Sequence, residues 1–221
     1  MKCFRVHKQD IPTYRKIPAL EENETELQNA IRDLCRNGQV NVEELSQYLF
    51  PQRESPYNIF ISHSHADFAV ARSLAIFLKK CYGANAHPFV DGLVWHDVYN
   101  ALLEMQTRYI PPILEEPATY PLEDCNRMAS NLYLILTDAL FKVLSKCTYF
   151  LFIQPDHWEK DANGRWTTDS PWIAQELSFA RNMCENAVYI QTNESLEKSS
   201  SITFRYPVNI DWLPTIKLKS L

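Results

Sequence analysis

Residues 57–83 read YNIFISHSHADFAVARSLAIFLKKCYG, and this stretch decides the fold. YNIFISH is a short run of β-branched and aromatic residues bounded by turn formers, the pattern of a buried strand. From Phe68 the period changes. Phe68, Ala71, Leu74, Ala75 and Leu78 fall on one helical face, Lys79 and Lys80 occupy the last turn, and Gly83 is placed to end the helix. A strand runs directly into a helix, and the same alternation continues downstream.

AHPFVD (86–91) reads as the second strand and VWHDVYNALLEM (94–105) as the second helix, after a loop carrying Asp91 and Gly92. RYIPPILEEPATYPLED (108–124) is rich in proline and reads as a long irregular insertion, a feature that is often functional in a compact domain. ASNLYLILTDALFKVLSK (129–146) is a strongly apolar helix, CTYFLFIQ (147–154) a third strand, and WEKDANGRWTTDS (158–170) its exit loop. A helix follows from Pro171, then AVYIQT (187–192) as a fourth strand, a polar loop NESLEKSSS (193–201), and ITFRYPVNIDWL (202–213) as a possible edge strand. Alternating strands and helices imply a parallel sheet with helices on both faces, joined by right-handed crossovers. Ligands of such sheets bind at the C-terminal strand edge.

Upstream, ETELQNAIRDLCRNGQVNVEELSQYLF (24–50) reads as two helices around a turn at Asn37-Gly38, with apolar stripes at Leu27, Ile31, Leu34 and Cys35 and at Val42, Leu45, Leu49 and Phe50. The segment PQRESP (51–56) marks a change of period. The expected organisation is therefore a helical N-terminal appendage over 1–55 and an α/β domain over 56–221.

Composition narrows the function classes. A formal net charge of −5 offers no electrostatic footprint for nucleic acid or an anionic membrane. No apolar run reaches the length of a membrane span, and the N-terminus lacks the apolar core of a secretory signal, so a cytoplasmic protein is expected. The six cysteines are scattered without a C-x-x-C pair and read as reduced core thiols. His63 and His65 lack neighbouring ligands that would complete a metal site, and none is expected. With four glycines and no G-x-G-x-x-G or Walker motif, phosphate-cradling loops are excluded.

One residue in TTDSPWIAQELSFAR (167–181) resists a structural explanation. Asp169 or Ser170 caps this helix and Pro171 suits its first turn. Glu176 is too far along to complete a capping box, and its helical neighbours Trp172, Ile173, Phe179 and Ala180 offer no ion pair. A carboxylate among apolar neighbours, near the start of a helix leaving the C-terminal sheet edge, is a candidate site residue. The simpler reading is a solvated glutamate with a distant partner.

Taken in order, YNIFISHSHADFAVARSLAIFLKKCYG resembles the opening strand and helix of Toll/interleukin-1 receptor (TIR) domains, PFVDGLVW their second strand and BB loop, and SPWIAQEL the W-x-x-x-E helix of the TIR enzymes. The likeness covers residues 56–192 and is greatest to bacterial TIR proteins of antiphage systems such as Thoeris; the insertion at 108–124 departs from it. The resemblance implies a flavodoxin-like fold and cleavage of the nicotinamide–ribose bond of NAD+, with NAD+ as substrate and no resident cofactor. Carried onto this chain, Glu176 is the catalytic glutamate and Trp172 its aromatic partner one turn earlier.

Ser62 and His63 end the first strand, where they meet a ribose or phosphate or merely adjoin capping by Ser64 and Asp67. Asp91 orients a ribose hydroxyl or makes an Asx turn with Gly92. Trp95 covers the cleft or anchors its loop. The resemblance further implies self-association through TIR domains and a cyclic ADP-ribose-type product that reaches a separate effector. Two alternatives stand beside it: a non-catalytic TIR interaction module, and a nucleoside deoxyribosyltransferase-like enzyme.

Overall fold

The computed structural model describes residues 1–14, 24–36, 39–51, 56–115, 118–156, 158–184 and 205–218. In chain order these form β1 (Lys2–Val6), α1 (Glu24–Leu34), β2 (Cys35–Arg36), β3 (Gln39–Val40), α2 (Val42–Leu49), β4 (Ile59–Ser62), α3 (Phe68–Tyr82) and β5 (Pro88–Phe89). There follow α4 (Val98–Tyr109), β6 (Leu114–Glu115), β7 (Ala118–Thr119), α5 (Leu122–Lys146), β8 (Tyr149–Ile153), β9 (Trp166–Thr168), α6 (Pro171–Met183) and β10 (Tyr206–Val208). The strand expected over 187–192, the loop after it and the Asn37-Gly38 turn lie outside the described residues.

The chain is mixed α/β, with a four-stranded sheet in the order β1-β8-β4-β5 whose neighbours all run parallel. β4 and β8 are buried along nearly their whole length, as strands covered on both faces must be. Register places Cys3, Phe150, Phe60 and Phe89 in one row and Arg5, Phe152 and Ser62 in a row two residues nearer the C-terminal edge. Side chains in these two rows point to the same face. Phe60 stacks on Phe150 with ring centres 5.8 Å apart and lies 5.1 Å from Phe89, so aromatic rings fill the middle of that face. α6 covers it: the Cys3 thiol donates to the Ala180 carbonyl at 3.8 Å, and Ile173, Leu177 and Ala180 are buried. α3 packs against β4 and β5.

Several expectations are corrected. Residues 1–55 are not a separate helical appendage, because β1 pairs with β8 in the central sheet. Its outer side is covered in turn by the C-terminal segment, where Arg5 N–H donates to the Pro214 carbonyl at 3.0 Å and Ile216 N–H to the Arg5 carbonyl at 3.0 Å. This occupies an edge that would otherwise present unpaired backbone groups. The compact units are Met1–Arg15 with Tyr57–Val90 and Leu144–Leu221, a sheet unit, and Lys16–Pro56 with Asp91–Val143, a helical unit. The division at 55–56 fails because the first strand belongs to a sheet completed far along the chain.

The proline-rich stretch is shorter than expected. α4 extends to Tyr109, β6 and β7 form a small hairpin, and α5 starts at Leu122 instead of 129. The Cys125 N–H donates to the Pro121 carbonyl, so Pro121 stands at the helix entrance, where proline's missing N–H costs nothing. The exit loop after β8 contains β9, which pairs antiparallel with β10 in a separate two-stranded ribbon, so the described part of the 202–213 stretch, from 205 on, adds no strand to the central sheet.

Within the helical unit α1 packs on α2 and α4, and Tyr109 Oη lies 3.5 Å from the Ile31 carbonyl that accepts from it. Asn41 caps α2 through bonds from Glu43 and Glu44 N–H, and Asp97 caps α4 through Tyr99 and Asn100 N–H. None of the described helices is long and apolar enough to cross a membrane.

Candidate active site at the C-terminal sheet edge

α6 begins where the sequence says it should. Ser170 is its cap, the hydroxyl accepting from Ile173 N–H at 3.3 Å with Pro171 in the first turn, and Thr168 Oγ1 accepts from Ser170 N–H at 3.1 Å. Thr167 and Thr168 are buried, so the strand leading into the helix is fixed. The helix then descends over the sheet from its C-terminal edge, and its inward stripe of Ile173, Leu177 and Ala180 carries Glu176 with it.

Glu176 is 7% exposed, and its partner is Ser62, the last residue of β4, at 1%. The Ser62 hydroxyl donates to Glu176 Oε2 at 2.5 Å, a length typical of a hydroxyl bound to a carboxylate. This bears on what the sequence left open about Glu176: a partner lies 114 residues away, on the strand β4. It also gives Ser62 a defined contact: the hydroxyl proton goes to Glu176, while the oxygen keeps lone pairs that can accept from a ligand.

The loop after β4 is ordered by its own polar groups. His63 is half-buried, with Nδ1 3.2 Å from the Ile61 carbonyl oxygen and its ring 6.0 Å from that of Phe68. Ser64 Oγ donates to Asp67 Oδ2 at 2.6 Å, and Asp67 is buried at 5% exposure. Asp67 also pairs with Lys8, whose Nζ lies 2.7 Å from Oδ1 and 3.0 Å from Asp156 Oδ2. Burial alone would lower the Lys8 pKa; the hydrogen bonds and charges of Asp67 and Asp156 outweigh it and hold the ammonium above its ordinary value. Lys8 was missed in the sequence because a lysine near the terminus carries no pattern until β1 is known to be a sheet strand.

Trp172 is half-buried one turn before Glu176 on α6. Asp91 and Trp95 belong to the helical unit. There Asp91 Oδ1 accepts from Gly92 N–H at 2.8 Å, and its carbonyl accepts from Val94 and Trp95 N–H. Trp95 stands edge-on to Phe50 at 4.9 Å, His96 stacks on Tyr48 at 4.6 Å, and His96 N–H donates to the Leu49 carbonyl at 3.0 Å. The loop that carries both residues is thus anchored on the end of α2.

A cavity of about 640 Å³ lies within the helical unit, lined among others by Cys35, Leu45, Met105, Tyr109, Met128 and Leu132. Its lining is mostly apolar, and its two charged groups, Asp124 and Arg127, pair with each other at 2.5 Å. Chemistry on a polar bond needs positioned polar groups, and those gather at the sheet edge instead. Among the described residues no group of His, Cys, Asp and Glu side chains is arranged to hold a metal ion. Comparison of the chain with protein-family models, with curated proteins and with solved structures finds no match.

Proposed function

We propose that the chain is a TIR-like enzyme of flavodoxin-like fold that cleaves the nicotinamide–ribose bond of NAD+, with Glu176 as its catalytic residue. The observation that supports this most is the buried Ser62–Glu176 pair at the C-terminal edge of a parallel sheet. That edge is where α/β sheets bind ligands, and a carboxylate buried there and held by a short hydroxyl bond is a costly arrangement for a purely structural role.

In the proposed reaction the C–N bond between nicotinamide and ribose breaks and its electron pair leaves on the nicotinamide nitrogen, neutralising the ring's positive charge. Positive charge develops on the ribose as an oxocarbenium ion. The Glu176 carboxylate, prevented from rotating by the Ser62 bond, stabilises that charge without reorganising. Trp172, one turn earlier on α6, offers an aromatic face to a base ring. Water captures the ribosyl cation to give linear ADP-ribose, or an atom of the same molecule captures it to give a cyclic product. We favour the cyclic product, which acts as a signal to a separate effector in bacterial antiphage defence. Self-association through like domains and a cytoplasmic location complete the proposal.

Incubating the pure protein with NAD+ and resolving products by mass spectrometry tests it. Nicotinamide together with a cyclic ADP-ribose is the expected outcome; linear ADP-ribose alone rejects the signalling version, and intact NAD+ rejects the enzyme. The exposed apolar side chains of the helical unit, among them Leu103, Leu134 and Phe141, favour a second reading as a non-catalytic interaction module, which intact NAD+ would support.

A further inference from the structure

Lys8 joins three loops that sequence separates widely. It follows β1, Asp67 follows β4 and Asp156 follows β8, and these three strands are adjacent in the order β1-β8-β4. The two bonds, at 2.7 and 3.0 Å, tie all three loops together at the C-terminal edge. Asp67 is buried, so its charge requires that cation: a buried carboxylate without a partner is strongly disfavoured. Asp67 in turn governs the loop after β4. One carboxylate oxygen takes the Ser64 hydroxyl at 2.6 Å, and Asp67 N–H donates back to the Ser64 carbonyl at 2.8 Å, closing the turn that starts two residues after Ser62.

We propose that Lys8 is a positioning residue for the Ser62–Glu176 pair, clamping the turn at 64–67 so that the end of β4 keeps its hydroxyl on the carboxylate. The consequence for turnover rests on the proposed NAD+ reading; the clamp itself does not. A first strand with its lysine is therefore part of the site rather than a neighbour of it. As a positioning residue Lys8 acts through the turn, so its loss should lower the rate more than it weakens binding.

Hydrogen exchange and steady-state kinetics on full-length Lys8→Met and Lys8→Arg test both parts. In Lys8→Met the amides of Asp67 and Phe68 should exchange at least about tenfold faster, with those of α1 and α2 unchanged. Its kcat should fall about tenfold with KM altered less than about threefold, and Lys8→Arg should restore both, because a small displacement of a catalytic group slows chemistry more than binding. Unchanged exchange in Lys8→Met overturns the clamp. Faster exchange with unaltered kcat overturns the positioning role. A wild-type protein that leaves NAD+ intact refutes the proposed reaction, and exchange alone then decides the clamp. If Lys8→Met does not fold, Lys8→Gln takes its place, since it keeps a polar side chain and removes the charge that pairs with buried Asp67. Faster exchange at 64–68 in that variant supports the clamp, and none overturns it.

Discussion

The sheet unit and the helical unit treat polar and apolar side chains in opposite ways. The buried polar side chains among the described residues, Ser62, Asp67, Ser73, Thr167, Thr168 and Glu176, all belong to the sheet unit. Of the exposed large apolar side chains among the described residues, only Tyr82 belongs there, while Val40, Val42, Tyr99, Leu103, Ile113, Leu114, Leu122, Tyr133, Leu134 and Phe141 belong to the helical unit. Burying a hydroxyl or a carboxylate is costly and has to be offset by partners, so it persists where a fixed geometry is needed. Leaving leucine and phenylalanine in water is a modest cost that makes sense on a surface awaiting contact. The contrast is what the proposed division calls for, with chemistry in the sheet unit and association on the helical unit.

The contrast breaks most readily in the aromatic core of the sheet. Phe150 is 0% exposed and stacks on Phe60, so Phe150→Ala should cost about 3–5 kcal/mol in a denaturant titration, from lost transfer energy and the cavity left behind. A cost below about 1 kcal/mol would mean that the sheet is not the stable element. A smaller loss tests the polar pair: Ser62→Ala removes a donor from a buried carboxylate oxygen and should cost about 1–3 kcal/mol. A variant as stable as wild type would show that the carboxylate re-partners freely.

The Lys8 ion pairs contribute a pH-dependent part. The ammonium is held above its ordinary value of 10.5 in the folded chain, so it binds its proton more tightly folded than unfolded. Its stabilisation is fully present below 10.5 and is lost as pH rises through the raised folded value. The gap in unfolding midpoint between wild type and Lys8→Met should hold through neutral pH and narrow only in alkali; a gap that narrows below pH 9 would place the effect elsewhere. Smallest is the effect of Leu134→Ser on α5, where the side chain is 66% exposed. Stability should shift by less than about 0.5 kcal/mol while sedimentation reports weaker self-association. A large loss of stability would show that this surface is core.

Legibility in the sequence followed the same divide. β4, α3, β8 and α6 were readable because each couples a sharp hydrophobic period to strong boundary residues: Ser170 with Pro171 at the start of α6, Gly83 at the end of α3. Glu176 stood out because its own helix could not explain it. β1 was hidden, since KCFRV is five residues long and is defined by pairing with β8 rather than by any local signal. The first turns of α5 were hidden by their polarity: Glu123 and Asp124 suit a helix N-terminus and Asp124 pairs with Arg127, but beside prolines they resemble loop. Ser62 was located correctly and its partner was not, because a contact spanning 114 residues leaves no trace in spacing.

The central claim is that the Ser62–Glu176 pair breaks the nicotinamide–ribose bond, and one measurement meets it directly. Nicotinamide release from NAD+ is followed for wild type and Glu176→Gln at concentrations that drive self-association. The account predicts steady release by wild type and a loss of at least about 10³-fold in the glutamine variant, whose shape is kept and whose charge is gone, with an unchanged melting temperature. Equal release by the two proteins, or none by a folded and assembled wild type, would contradict it.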